Sequence, residues 1–277
     1  MARRLAFLGP RGTFTEEAAL RYDSQAELIP CPTISAVAAA VDSREADEGV
    51  VPIENSLEGS VNETLDVLVH DSQLHVRAEL VLRIAHQLLV KPGTSAQEIE
   101  VVFSHPQALA QCRRFIEANL AQAEPVAALS TAAAVEEMLQ RTGAAAIGNA
   151  RAAAIYGADI LFDDIQDRKE NFTRFVVLAP QDGLPTGADK TSLAFTFAFE
   201  DRPGQLVSAL DEFASRGINL TKIESRPGGD RLGVYVFLAD VDGHHTDSVL
   251  SEALAAVNAK CSFFRLMGSY PRYKASG

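Results

Sequence analysis

Several things are scarce in this chain of 277 residues, and each scarcity removes a class of function. Cysteine is limited to Cys31, Cys112 and Cys261, far apart, odd in number and without metal-ligand spacing. That excludes a disulfide framework or a zinc cluster and reads as reduced core thiols of a cytoplasmic protein. Basic residues are outnumbered, 25 Lys and Arg against 37 Asp and Glu, for a formal charge of −12. A general binder of nucleic acid or of acidic membranes is thereby excluded, and an anionic ligand would need a locally favourable pocket. Long apolar runs are missing too. The first, Leu5 to Leu8, stops at Gly9-Pro10 and is too short for a signal segment, and no run approaches a membrane span. Gly9 and Gly12 lack the third glycine and the spacing of a dinucleotide fingerprint, so a nicotinamide-dependent dehydrogenase is a weak reading.

What is present is alternation. Leu5 to Leu8 reads as a strand, followed by a glycine turn and a helix capped by Thr13, with Glu16 at capping-box spacing. Similar strand-then-polar units follow: Gly49 to Ile53 into Glu54-Asn55-Ser56, Val101 to Phe103 into Ser104 to Gln107, and Ala144 to Ile147 into Gly148-Asn149. His105 sits beside a helix start with no second metal ligand spaced to help it, so it reads as a capping or ligand-contacting residue. Leu80 to Ile84 and Gln87 to Val90 suggest two strands or a bent crossover between lobes, the chain returning near residue 157. In Glu170 to Phe175 a loop enters a buried strand, a good place to hold the Asn171 amide, the Thr173 hydroxyl and the Arg174 guanidinium against an anion. Alternation favours a mostly parallel α/β sheet, with these polar clusters meeting in a cleft between two lobes.

Pro180 to Asp189 is rich in proline, glycine and polar residues and reads as a linker. Beyond it, Leu193, Phe195, Phe197 and Phe199 alternate as a strand, Pro203-Gly204 opens a helix, strands cover Ile218 to Ile223 and Leu232 to Leu238, and a helix and a last strand follow. The order βαββαβ is a ferredoxin-like unit, which has no chemistry of its own and reads as a regulatory or assembly module.

Taken together these blocks resemble the prephenate dehydratase family along essentially the whole chain. The glycine turn Gly9 to Thr15, the block Val51 to Asp66 (VPIENSLEGSVNETLD), Ser104 to Cys112 (SHPQALAQC) and Thr173-Arg174-Phe175 stand in the family's order. The tail resembles an ACT domain, with Glu224-Ser225-Arg226-Pro227 after Asn219-Leu220, and Gly204-Gln205-Leu206 where the family's effector motif has a small middle residue. With no mutase helices ahead of Arg3, the resemblance is to the monofunctional form.

The resemblance implies a two-lobed, periplasmic-binding-protein-like catalytic domain over 1–182, with lobe 1 about 1–78 and 158–182 and lobe 2 about 79–157, then a linker over 183–189 and an ACT domain over 190–277. It implies loss of CO₂ and water from prephenate to give phenylpyruvate, with no cofactor and no metal. Thr173 would be the essential hydroxyl, polarised by Arg174 or Asn171 or supplied by a relayed proton. Thr13, Asn55, Ser56 and Asn149 would make polar contacts, Arg174 and then Lys169 would neutralise carboxylate, and Phe175 would wall the site. Phenylalanine would bind between the Gly204 helix start and the Glu224–Pro227 segment, and the ACT domains would pair to give a homodimer or homotetramer. A non-catalytic two-lobed sensor, and an enzyme for the aminated substrate arogenate, use the same residues and stay open on sequence alone.

Overall fold

The computed structural model describes residues 2–197, 202–228 and 234–274; Phe199 and Leu232, assigned above to strands, lie outside them. Helices start where the sequence supplies caps. The side chains of Thr13, Thr33, Ser130 and Asn149 accept the backbone N–H of Glu16, Ala36, Ala133 and Ala152, satisfying donors that a helix start leaves free. Glu16 departs from the capping box: its carboxylate takes the Gly12 N–H at 2.7 Å and pairs with Arg151 at 3.3 Å.

Three sheets carry the described residues. In the first, Glu27–Cys31, Arg4–Leu8, Glu48–Asn55, Phe172–Ala179 and His75–Arg83 lie side by side in that order. In the second the order is Asp159–Phe162, Gln87–Val90, Ala144–Gly148, Val101–Ser104, Glu124–Ala127. Both sheets are mixed, which corrects the mostly parallel expectation. Arg4–Leu8 and Val101–Ser104 have parallel neighbours on both sides, but the strands nearest the crossovers, His75–Arg83, Gln87–Val90, Asp159–Phe162 and Phe172–Ala179, pair antiparallel. A chain that passes directly from one lobe to the other and back, without a covering helix, brings its strands in head to tail. The expected lobe borders shift for the same reason: 79–83 pairs within the first sheet and 159–162 within the second, so the crossings fall in 84–86 and 163–171.

The third sheet, Leu220–Pro227, Tyr235–Asp242, Asp189–Thr196, Phe263–Pro271, is antiparallel and gives the expected βαββαβ unit. Its helices Gln205–Ala214 and Ser248–Asn258 cover one face, where Phe213, Leu250 and Val257 pack on Leu193, Phe195 and Val241. The other face is not left to solvent. Ala194, Val236, Leu238, Met267 and Tyr270 join one apolar core with Val76, Val176 and Leu178 of the first lobe. The approach is closest at Gly268, whose φ is +136° and where a Cβ would lie 2.8 Å from Val76 N and closer still to its carbonyl oxygen. Gly268→Ala is therefore expected to lower the stability of the whole chain by about 2–4 kcal/mol. Gly93→Ala, also at positive φ but in open space, should cost only about 1 kcal/mol. Chemical denaturation of the two variants measures the difference; equal losses would contradict the tight contact.

Candidate active site

Between the two lobes lies a cleft of about 390 Å³, walled on one side by the ends of the first sheet and on the other by the 105–111 and 129–131 segments. Side chains of a strand alternate between faces, and the pairing of Phe172–Ala179 with Glu48–Asn55 sets Thr173 opposite Asn55. Thr173 and Phe175 thus line the cleft with Asn55 and Asn171.

The polar atoms form a directed network. Asn55 Oδ1 accepts the N–H groups of Leu57 at 2.9 Å and Glu58 at 3.1 Å, which fixes the amide so that Nδ2 donates to Thr173 Oγ1 at 2.9 Å and Asn171 Oδ1 at 2.8 Å. Because the Thr173 oxygen accepts from Asn55, its own proton is free for a group in the cleft. Asn171 Nδ2 in turn donates to Gln111 Oε1 at 3.1 Å, and His86 Nε2 lies 3.0 Å from the same oxygen. That oxygen only accepts, so His86 carries its proton on Nε2 and leaves Nδ1 a buried acceptor without a partner. Burial pushes the His86 imidazole below its ordinary value, and the hydrogen bond with Gln111 offsets this only in part.

The expected site residues do not all meet here. Phe175 walls the cleft while 2% exposed and packed in the core. Thr13 is at the wall, but its hydroxyl donates to Leu8 O at 3.2 Å and caps the first helix. Ser56 instead staples two strand ends: its N–H donates to Phe172 O and its Oγ accepts the Phe172 N–H. Asn149 is 2% exposed and caps the Ala150–Tyr156 helix. Arg174 is turned to the opposite face, with Glu79, Asp240 and Tyr270, because the strand begins at Phe172 and alternation separates Arg174 from Thr173. Lys169 is exposed and engages Asp164. No lysine or arginine lines the cleft among the described residues; Arg168 lines an adjoining hollow that shares Gln111 and Asn171 with it. The expected neutralisation by Arg174 and Lys169 is therefore corrected.

Of the expected effector residues, Gly204 (φ +88°) precedes the helix that Gln205 starts, and Gln205 accepts the Arg202 N–H at 3.2 Å. Leu206 and Leu220 pack in the C-terminal core, and Asn219 donates to Asp242 at 3.3 Å. Along Leu220–Pro227 the burial alternates. Ser225 and Pro227 are exposed, whereas Glu224 meets Ser60 at 2.5 Å and Arg226 meets Asp66 at 2.5 Å on the first lobe. Those two side chains are spent on the lobe contact, which corrects their assignment to an effector pocket.

Gln111 and His86 escaped the sequence reading. Gln111 follows Gln107 by one helical turn and so shares its face, a signal that was legible. His86 is the polar residue between two apolar runs at the crossover. One cluster among the described residues, Asp182, His244 and His245, brings ligand atoms within 4.8 Å of one another. His244, however, spends one nitrogen on Gly183 O and the other on Thr246.

Comparison with known proteins agrees with this geometry. The family model for prephenate dehydratase matches residues 5–183 and that for the ACT domain residues 197–259. A bifunctional chorismate mutase/prephenate dehydratase of Aquifex aeolicus is 43% identical over 97% of this chain and 74% of its own length. A prephenate dehydratase of Mycolicibacterium vanbaalenii is 41% identical, covering 96% of this chain and 90% of its own. The crystal structure of prephenate dehydratase from Arthrobacter aurescens in complex with L-Phe superposes with a TM-score of 0.89 at 40% identity, over 97% of this chain and 90% of that one. The chain belongs to the prephenate dehydratase family of carbon–oxygen lyases and carries an ACT domain at its C-terminal end.

Proposed function

We propose that the cleft decarboxylates and dehydrates prephenate to phenylpyruvate, with Thr173 as the group that helps the ring oxygen leave. The bond between the ring and its carboxylate breaks to release CO₂. Its electron pair completes the aromatic ring, and the C–O bond on the far side of the ring breaks. One proton converts the departing hydroxide to water. The observation that carries this reading is the Asn55 amide donating to Thr173 Oγ1, which leaves the threonine proton to the leaving oxygen. An ordinary threonine is too weak an acid to give that proton up alone. Its main service is to stabilise the developing negative charge through a hydrogen bond sharpened by the Asn55 donor, the proton being resupplied from water.

With no Lys or Arg on the wall among the described residues, the dianion is held by partial charges. The helices Phe14–Tyr22 and Thr131–Gln140 both begin at the cleft, and their first turns present N–H groups to a carboxylate. In this reading residues 1–182 do the chemistry, 183–189 link, and 190–277 form the ACT domain, which binds phenylalanine as effector near Gly204–Leu206, Asn219, Leu220, Ser225 and Pro227. The L-Phe complex of the Arthrobacter relative supports that effector. Leu220–Pro227 is a sheet edge with Ile223 46% exposed, which suits pairing of ACT domains in a homodimer or homotetramer. No helix is long and apolar enough to cross a membrane among the described residues, and the free thiols of Cys31, Cys112 and Cys261 suit the cytoplasm.

Purified protein given prephenate alone should release phenylpyruvate and CO₂. Thr173→Ala should lower kcat by about 10²–10⁴ and Asn55→Ala by about 10², while Thr173→Ser keeps activity within about tenfold of wild type. Binding without turnover in the wild type, or turnover of arogenate only, would overturn the assignment. His86 yields a pH signature. Its folded value is depressed, so the unfolded chain takes up the proton first as pH falls. Its contribution is full above about pH 6.5 and is lost as pH drops toward the folded value. Between about pH 7 and about pH 5 the thermal midpoint of His86→Asn should therefore fall less than that of wild type; an equal fall would remove His86 as a source of acid lability.

A further inference from the structure

The strand pair that holds the cleft residues has a second face. Thr173 pairs with Asn55, and the next residues in register, Arg174 and Glu54, point away from the cleft toward the ACT sheet. Arg174 Nη1 donates to Asp240 Oδ2 at 2.7 Å and Nη2 to Tyr270 Oη at 2.7 Å, both on ACT strands. Its Nε lies 2.7 Å from Glu79 Oε2, a close contact of charges rather than an aligned hydrogen bond. Glu54 lies 3.5 Å from Arg174 Nη1 and 3.2 Å from Lys222 Nζ. Lys222 and Glu224 also share Ser60, so the strand bearing the effector motif is tied to the residue next to Asn55.

We infer that Arg174 and Glu54 are positioning residues through which the ACT sheet sets the geometry of the Thr173–Asn55 pair. The inference rests on the proposed dehydratase reading and adds to it the route by which an effector at the ACT domain reaches the reaction. Each ion pair is one peptide away from a cleft residue, and alternation turns a pull on one face into a tilt on the other. The ladder with Glu48–Asn55 loses its regular register between Arg174 and Phe175, while Phe172–Val177 stays in register with His75–Arg83, so a pull on Glu54 shifts Asn55 relative to Thr173 instead of carrying both strands together. Displacing Lys222 or Asp240 therefore changes the Asn55–Thr173 hydrogen bond without any effector entering the cleft, as coupling between separate sites requires.

Asp240→Asn tests this in the full-length protein, since Asp240 sits on the ACT sheet and touches nothing in the cleft. It keeps the shape and the Ser192 partner but removes the charge facing Arg174. With prephenate, kcat should fall at least about tenfold while KM stays within about threefold, and the response to phenylalanine should need at least about fivefold more effector. A folded Asp240→Asn protein with wild-type kcat and phenylalanine response overturns the inference. Should that variant fail to fold, Lys222→Ala at the rim of the interface is the second test. It should lower kcat about threefold and blunt the phenylalanine response, and the Lys222→Arg variant should restore both. A folded Lys222→Ala protein indistinguishable from wild type also overturns the inference. Failure of the dehydratase reading looks different: the wild-type protein would release no phenylpyruvate.

Discussion

Glu48–Asn55 and Phe172–Ala179 are central strands with both faces committed, and the rest of the molecule is arranged around that double commitment. One face gives Asn55, Thr173 and Phe175 to the cleft, and the other gives Glu54 and Arg174 to the ACT contact. A slip of one residue would exchange the faces, placing a guanidinium in the cleft and the threonine under the ACT sheet. The register is held where it matters by the reciprocal bonds between Ser56 and Phe172, just beyond the Thr173–Asn55 pair. Ser56 thus serves the site by fixing register, without standing in the cleft wall.

The ion cluster under the ACT sheet follows the same logic. Arg174 and Lys190 face Glu79 and Asp240, two cations against two carboxylates, all nearly out of water. Burial alone would raise the Asp240 carboxyl, yet the guanidinium beside it holds it below the ordinary carboxylate range. Burial opposes the Arg174 charge as well, but Tyr270, Asp240 and Glu79 keep it firmly protonated. Such a cluster adds little net stability over an apolar contact, because desolvation offsets most of the attraction, but removing one member strands the others. What it adds is direction: together with the close approach of Gly268 to Val76 it restricts how the ACT sheet can sit on the lobe, beyond the apolar contacts of Val236, Leu238 and Met267.

Local signals were legible in the sequence and long-range ones were not. Helix starts at Thr13, Thr33 and Ser130 could be read because a cap acts within one turn. The C-terminal βαββαβ unit could be read from strand and helix periods and their order. Strand direction leaves no mark on a period of two, so the mixed sheets and the shifted lobe borders were out of reach. Arg174 is a different case. Once Phe172 begins a strand, Thr173 and Arg174 must face opposite ways, and treating the segment as a loop entering a strand hid that rule. The link from His86 through Gln111 to Asn171 joins three separated segments, and only the fold brings them together.

Placing the cations behind the sheet also bears on the chemistry. During the reaction negative charge leaves the ring carboxylate as CO₂ departs and accumulates on the ring oxygen. A lysine or arginine fixed against that carboxylate would hold the ground state more tightly than the transition state and so raise the barrier. In the proposed binding mode, backbone N–H groups at the two helix starts that border the cleft attract the dianion with partial charges, against a global charge of −12. Ile84 and Phe175, both buried, give the cleft an apolar surface that would weaken the solvation of a carboxylate placed against it. On the oxygen side the role proposed for Thr173 reverses the balance, because a hydroxyl that accepts from Asn55 would donate more strongly as charge arrives. A cleft built from dipoles and hydroxyls therefore suits movement of the charge across the ring in the proposed reaction, and the arginine next to the threonine faces the ACT sheet instead of the reacting dianion.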